Sequence, residues 1–134
     1  MTFRVDLSAA LADALRAAAR AACPNECCGL LAGVREGGRF HVTALHPARN
    51  RAARSDRFEI DPADHIAAQK IARANGQVII GCYHSHPGGT AEPSQTDAAG
   101  AAQEDFLWII VAGEELGCFI YRDGGFLGCV TGAD

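Results

Sequence analysis

Gly81-Cys82-Tyr83-His84-Ser85-His86-Pro87-Gly88-Gly89-Thr90-Ala91-Glu92-Pro93-Ser94-Gln95-Thr96-Asp97 is the stretch on which the reading of this sequence turns. The residues before it, Gln77 to Tyr83 with Val78-Ile79-Ile80, read as a central strand. Strand residues two apart share a face, so His84 and His86 present two imidazoles side by side at its end. Pro87 stops the ladder and Gly88-Gly89 lets the chain fold back. Ser94-Gln95-Thr96-Asp97 then brings a carboxylate on the first turn of a helix. Two histidines and one aspartate leave a fourth tetrahedral position for water, the catalytic type of zinc site. Each part also has an ordinary structural reading. A strand histidine can be a satisfied core residue, and Ser-x-x-Asp is also a helix capping box.

Working outward, Asp61-Pro62 starts a helix that runs to about Ala74, with Asp61 as N-cap, Pro62 at the first helical position and Asn75-Gly76 closing it. Phe58-Glu59-Ile60 reads as a short strand, and 46–57, rich in Pro, Arg, Asn and Ser, as a loop. Leu7, Leu11 and Leu15 recur every four residues and predict a helix over 7–22, capped by Asp6 or Ser8 and ended at Cys23-Pro24-Asn25. A buried strand over Glu26–Gly33, a turn at 35–38 and a strand over 39–45 follow. Downstream, the helix that begins at Ser94 extends to about Gln103, and strands are expected at 106–112, 117–121 and 126–130. The turns fall at Glu114-Glu115 and at 122–125. The expected fold is α/β, a mixed, largely antiparallel sheet flanked by helices, in one domain over 1–134.

The bulk composition excludes some functions. A chain of 134 residues with net charge −4 fits one core and lacks the basic stripe of a nucleic-acid binder. The arginines at 49, 51, 54 and 57 form a local cluster in the polar loop. No apolar run reaches membrane-spanning length, and the N-terminus has no signal-peptide pattern, so the expected location is the cytoplasm. The six cysteines contain no CxxC pair, and most lie in apolar segments. They are expected to be buried free thiols and not a zinc knuckle.

The ordered combination resembles the JAMM motif of the MPN+ (JAB1/MPN/Mov34) metallopeptidases. That pattern is an upstream Glu, His-[Ser/Thr]-His-Pro, and Ser-x-x-Asp after seven residues counted from the proline. Here His84-Ser85-His86 is followed by the seven residues 87–93, then Ser94 and Asp97. Glu26-Cys27-Cys28-Gly29-Leu30-Leu31-Ala32-Gly33 is similar to the family's Glu strand after the first helix. The resemblance covers nearly the whole chain and implies a JAMM/MPN, cytidine-deaminase-like architecture. Cys82 departs from it, since a bulky aromatic often stands two residues before the first histidine. By alternation Cys82 shares a face with His84.

The resemblance implies one catalytic Zn2+ with a bound water, held by His84, His86 and Asp97. It implies Glu26 as general base, Ser94 as donor to the oxyanion and Ser85 as a group that orients the loop. Glu59, Glu92 and Glu104 are rival carboxylates, and Glu92 lies in the turn where it could contact substrate. The implied reaction is hydrolysis of a peptide or isopeptide bond after the C-terminal Gly-Gly of a ubiquitin-like or sulfur-carrier β-grasp protein. The tail would add as an extended strand beside the site. Neither a nucleic-acid nor a membrane partner is expected, and the sequence does not give the oligomeric state. The alternatives are a catalytically silent MPN-type scaffold that binds such a partner, a two-His-one-carboxylate iron enzyme and a DNA-processing relative of the fold.

Overall fold

The structure, a computed structural model, describes residues 2–52 and 54–132. In chain order it contains β1 (Arg4–Asp6), α1 (Ala9–Ala22), β2 (Cys28–Glu36), β3 (Arg39–Ala48), α2 (Pro62–Ala74), β4 (Val78–Ser85) and α3 (Gln95–Gly100). Strands β5 (Phe106–Ala112), β6 (Glu115–Arg122), β7 (Gly125–Gly128) and β8 (Val130–Gly132) complete it. The strands form one sheet in the order β7-β6-β5-β4-β2-β3-β1-β8. β4 and β5 run parallel, as does β1 with both β3 and β8, and the other neighbours are antiparallel. The α/β class with a mixed sheet and flanking helices is as expected.

The sheet buries apolar side chains on both faces. On one face Leu31, Phe40, Tyr83, Ile109 and Ile120 pack with Leu15 of α1. On the other, Leu30, Cys82 and Trp108 pack with Ala68 of α2. Burying a leucine such as Leu15 contributes about 1.5–3 kcal/mol, which the alternation of β4 and the stripe of α1 secure together. A bulge sets the faces of β4. Leu31 pairs with Gly81 and Ala32 with Ile79, which leaves Ile80 as the extra residue. Ile79 therefore joins the Trp108 face and Ile80 the Phe40 face. Beyond the bulge, Cys82 lies on the Trp108 face and Tyr83 on the opposite one. Gly81 sits at the tight point: a β-carbon there would lie 2.1 Å from the Leu107 carbonyl oxygen.

Several elements differ from expectation. Residues 4–6 form a strand, so Asp6 is not the cap of α1; the Ser8 hydroxyl accepts from the Leu11 amide instead. β2 starts at Cys28 and β3 runs on to Ala48. Residues 58–60 make only the Asn50–Ile60 bridge, because the Asn50 side chain takes the Glu59 amide and the Arg57 carbonyl. α3 stops at Gly100, with Ala101 already extended. The turn before β6 is Gly113-Glu114, where Gly113 adopts the left-handed φ of 59°. The last expected strand is two strands at opposite edges of the sheet, separated by Cys129 alone. The Cys129 amide donates to the Cys118 carbonyl at 2.9 Å and the Val130 amide to the Phe3 carbonyl at 2.9 Å. The sheet thus curls until one residue spans its two edges.

The arginine cluster is largely paired locally. Arg49 bonds Asp64 and Asp61, Arg51 bonds Asp61, and Arg54 bonds Asp56. All six cysteines are free thiols. Among the described residues no helix is long and apolar enough to cross a membrane.

Candidate active site

His84 lies within β4, paired opposite Cys28 and Ile110, and is wholly buried. Its ring stacks on Phe58 at 4.3 Å between centroids and meets the edge of Trp108 at 5.7 Å. Burial in this aromatic wall pushes its pKa down and keeps the imidazole neutral. His86 follows the end of the strand, with its amide still bonded to the Val111 carbonyl. Its Nδ1 lies 2.8 Å from the Thr90 carbonyl oxygen, which can only accept. That contact places a proton on Nδ1, and in the neutral ring it leaves the Nε2 lone pair facing the site.

Asp97, buried at the start of α3, bridges the two histidines. Its Oδ1 is 3.0 Å from His84 Nε2 and its Oδ2 is 3.1 Å from His86 Nε2. The two Nε2 atoms are themselves 3.0 Å apart. Burial raises the Asp97 pKa, but the hydrogen bonds with His84 and His86 outweigh it and hold the carboxyl well below the usual range. The Asp97 hydrogen bond in turn raises His86. Ser94 and Asp97 form a full capping box: the Asp97 amide donates to Ser94 Oγ at 3.0 Å, and the Ser94 amide to Asp97 Oδ2 at 2.9 Å. The capping reading and the site reading of Ser-x-x-Asp therefore describe the same residues.

Glu26 enters just before β2. Its carboxylate and the two imidazoles offer donor atoms all within 4.8 Å of one another. It is buried, Oε1 has no hydrogen-bond partner among the described residues, and burial pushes its pKa up to about 7. Ser85 Oγ accepts from the Cys27 amide at 2.9 Å, which ties β4 to the residue after Glu26. Glu26, His86, Glu92 and Ser94 line a cleft of about 460 Å³, together with Ser55 and Asp56 of the polar loop. Of the other carboxylates, Glu59 lines a largely apolar cavity that Asp97 and Cys82 also line, and Glu104 accepts from the Asp123 amide.

The donor set suits a tetrahedral cation. Bonds of about 2.0–2.1 Å to a zinc ion imply edges of roughly 3.3 Å between donors, close to the separations at His84, His86 and Asp97. Protons on both Nε2 atoms would crowd the 3.0 Å gap between them, whereas one cation serves all three donors. Cys82, the residue that departs from the motif, is buried on the His84 side, and burial pushes its thiol pKa up. This favours the neutral thiol.

Two features were not legible in the sequence. Phe58 covers His84 from a loop and not from a strand. β4 is paired on both sides, with β2 and with β5, so a substrate tail has no free edge of the histidine strand to add to. The cleft lined by Glu26, His86 and Ser94 is one open approach to these residues.

The chain is similar to known proteins in both sequence and fold. The family described as prokaryotic homologs of the JAB domain matches residues 8–122. The chain is 33% identical over 112 residues to the desampylase of Haloferax volcanii, covering 80% of this chain and 79% of that protein. It is 31% identical over 107 residues to the CysO-cysteine peptidase of Mycobacterium tuberculosis, covering 79% and 71%. A solution structure of a protein from Desulfitobacterium hafniense superposes with a TM-score of 0.89 at 30% identity, covering 97% of this chain and 92% of that one. The chain belongs to the prokaryotic homologs of the JAB domain and is a peptidase or isopeptidase.

Proposed function

We propose that this chain, acting as a single domain in the cytoplasm, is a zinc-dependent hydrolase. It cuts the peptide or isopeptide bond that follows the C-terminal Gly-Gly of a ubiquitin-like or sulfur-carrier protein. The convergence of His84, His86 and Asp97 within 3.0–3.1 Å carries the reading. These three residues would hold the ion, and Glu26 stands further back at the cleft. The names of the desampylase and of the CysO-cysteine peptidase support the substrate class.

Bound there, zinc would supply Lewis acidity and lower the pKa of a water toward neutrality. Glu26 takes a proton from the attacking water as its oxygen bonds to the scissile carbonyl carbon. Ser94 donates its hydroxyl proton as a hydrogen bond to the carbonyl oxygen while negative charge develops there. Glu26 then returns the proton to the amine nitrogen as the C–N bond breaks. Phe58 and Trp108 keep solvent from the His84 ring, and the Thr90 carbonyl keeps His86 in the required tautomer.

The test pairs elemental analysis with cleavage of a Gly-Gly-terminated ubiquitin-like protein joined to a lysine peptide or to cysteine. Wild type should carry one zinc per chain and cleave. Glu26→Gln should keep the zinc and lose about 10²–10⁴ in turnover. Glu26→Gln at the wild-type rate, or wild type without zinc, would overturn the reading.

A further inference from the structure

The peptide unit between Glu26 and Cys27 is held at both ends by side chains from distant parts of the sequence. Its carbonyl accepts from Asn50 Nδ2 at 3.0 Å, and its N–H donates to Ser85 Oγ at 2.9 Å. Asn50 is fully committed. Nδ2 also donates to the Arg57 carbonyl at 3.2 Å, while Oδ1 accepts from the Ala52 and Glu59 amides at 3.0 and 2.9 Å. A primary amide offers two donors and one acceptor oxygen with two lone pairs, so all four positions are used. Its bonds to Arg57 and Glu59 flank Phe58, the residue stacked on His84. One half-buried side chain thus grips both the backbone that carries Glu26 and the loop that covers His84.

Oε1 of the Glu26 carboxylate is buried and has no hydrogen-bond partner among the described residues. The plane of the 26–27 peptide includes the Glu26 α-carbon, so holding that plane at both ends holds the root from which the side chain reaches the cleft.

We propose that Asn50 is a positioning residue for the reaction. By clamping the Glu26–Cys27 peptide against Ser85, it aims the Glu26 carboxylate and keeps Phe58 on His84. This inference rests on the assignment of Glu26 as proton carrier under the proposed function. Asn50 touches neither substrate nor the reacting atoms.

The decisive variant is Asn50→Asp. It keeps an oxygen for the Ala52 and Glu59 amides and replaces the donor toward Glu26 with an acceptor. In the folded full chain kcat should fall about 10²-fold, the scale of a carboxylate misplaced by about 1 Å. KM should stay within about twofold and zinc content should not change. Ser85→Ala releases the other end of the same peptide and should also lower kcat more than it raises KM, which keeps the idea open to refutation if Asn50→Asp does not fold. A readout independent of turnover is the carbon-13 shift of the Glu26 carbonyl and side-chain carboxyl. Both should move in Asn50→Asp while the Ala52 and Glu59 amides keep their protection from exchange. Wild-type kcat in folded Asn50→Asp, or unmoved Glu26 shifts, overturns the proposal. If wild-type protein does not cleave, the proposed function fails, and the shifts still decide whether Asn50 aims Glu26.

Discussion

Ser94 accepts a hydrogen bond from the Asp97 amide, and a hydroxyl has two lone pairs and one proton. The cap uses one lone pair and leaves the O–H free to donate, which is what the proposed oxyanion role requires. The same economy of position is seen at Gly81. A β-carbon there would meet backbone, the Leu107 carbonyl, and no flexible side chain can yield. Gly81→Ala should therefore destabilise by about 1–3 kcal/mol, seen as a lower midpoint in thermal unfolding. At this scale the candidate site could be proposed from sequence because His84, His86, Asp97 and Glu26 are chemically distinctive and stand in a fixed order. Asn50 and Thr90 were not legible as parts of it. Asn50 is one polar residue in a polar loop, and Thr90 acts through its backbone carbonyl, which every residue has.

Helix α3 has six residues, too short to be stable in isolation, and Asp97 is its one buried residue. The capping box and the contacts of Asp97 with two histidines hold it in place, so the element is a mount for a single carboxylate. Its expected extension to about Gln103 stopped at Gly100, a poor helix former, beyond which the exposed Ala102 and Gln103 offer no buried face to offset the break. α1 is the contrasting case: its leucine period anticipated the helix, and Leu15 is fully buried. Ser8 is its N-cap, bonding the Leu11 amide at 3.2 Å. Ser8→Ala should cost about 0.5–2 kcal/mol, measured as a lower urea midpoint. Because Ser8 caps the start of α1, the end of the helix opposite Glu26, the proposed zinc content should not change.

Across the whole molecule, the first strand ties two distant parts of the chain together. β1 pairs with β3 on one side and with β8 on the other, and Asp6 within it is buried against Arg39, Arg4 and His41. The Arg39 hydrogen bond, aided by Arg4 and His41, holds the Asp6 carboxyl below its usual range despite burial. Its contribution to stability is present above the unfolded-state pKa of about 3.9 and is lost as pH falls through the lower folded value. Asp6→Asn should therefore unfold at lower urea than wild type at pH 7, with the gap narrowing below about pH 4. None of this topology could be read from sequence. Three-residue strands carry too little pattern, and the pairing of residues 4–6 with 130–132 spans the whole described chain. That pairing has a consequence for the order of synthesis. Glu26, His84, His86 and Asp97 all lie before residue 101, so they are made before the last strands. β1 must wait, with one edge open, until residues 130–132 have been made, which gives the nascent chain an interval of exposed strand edge.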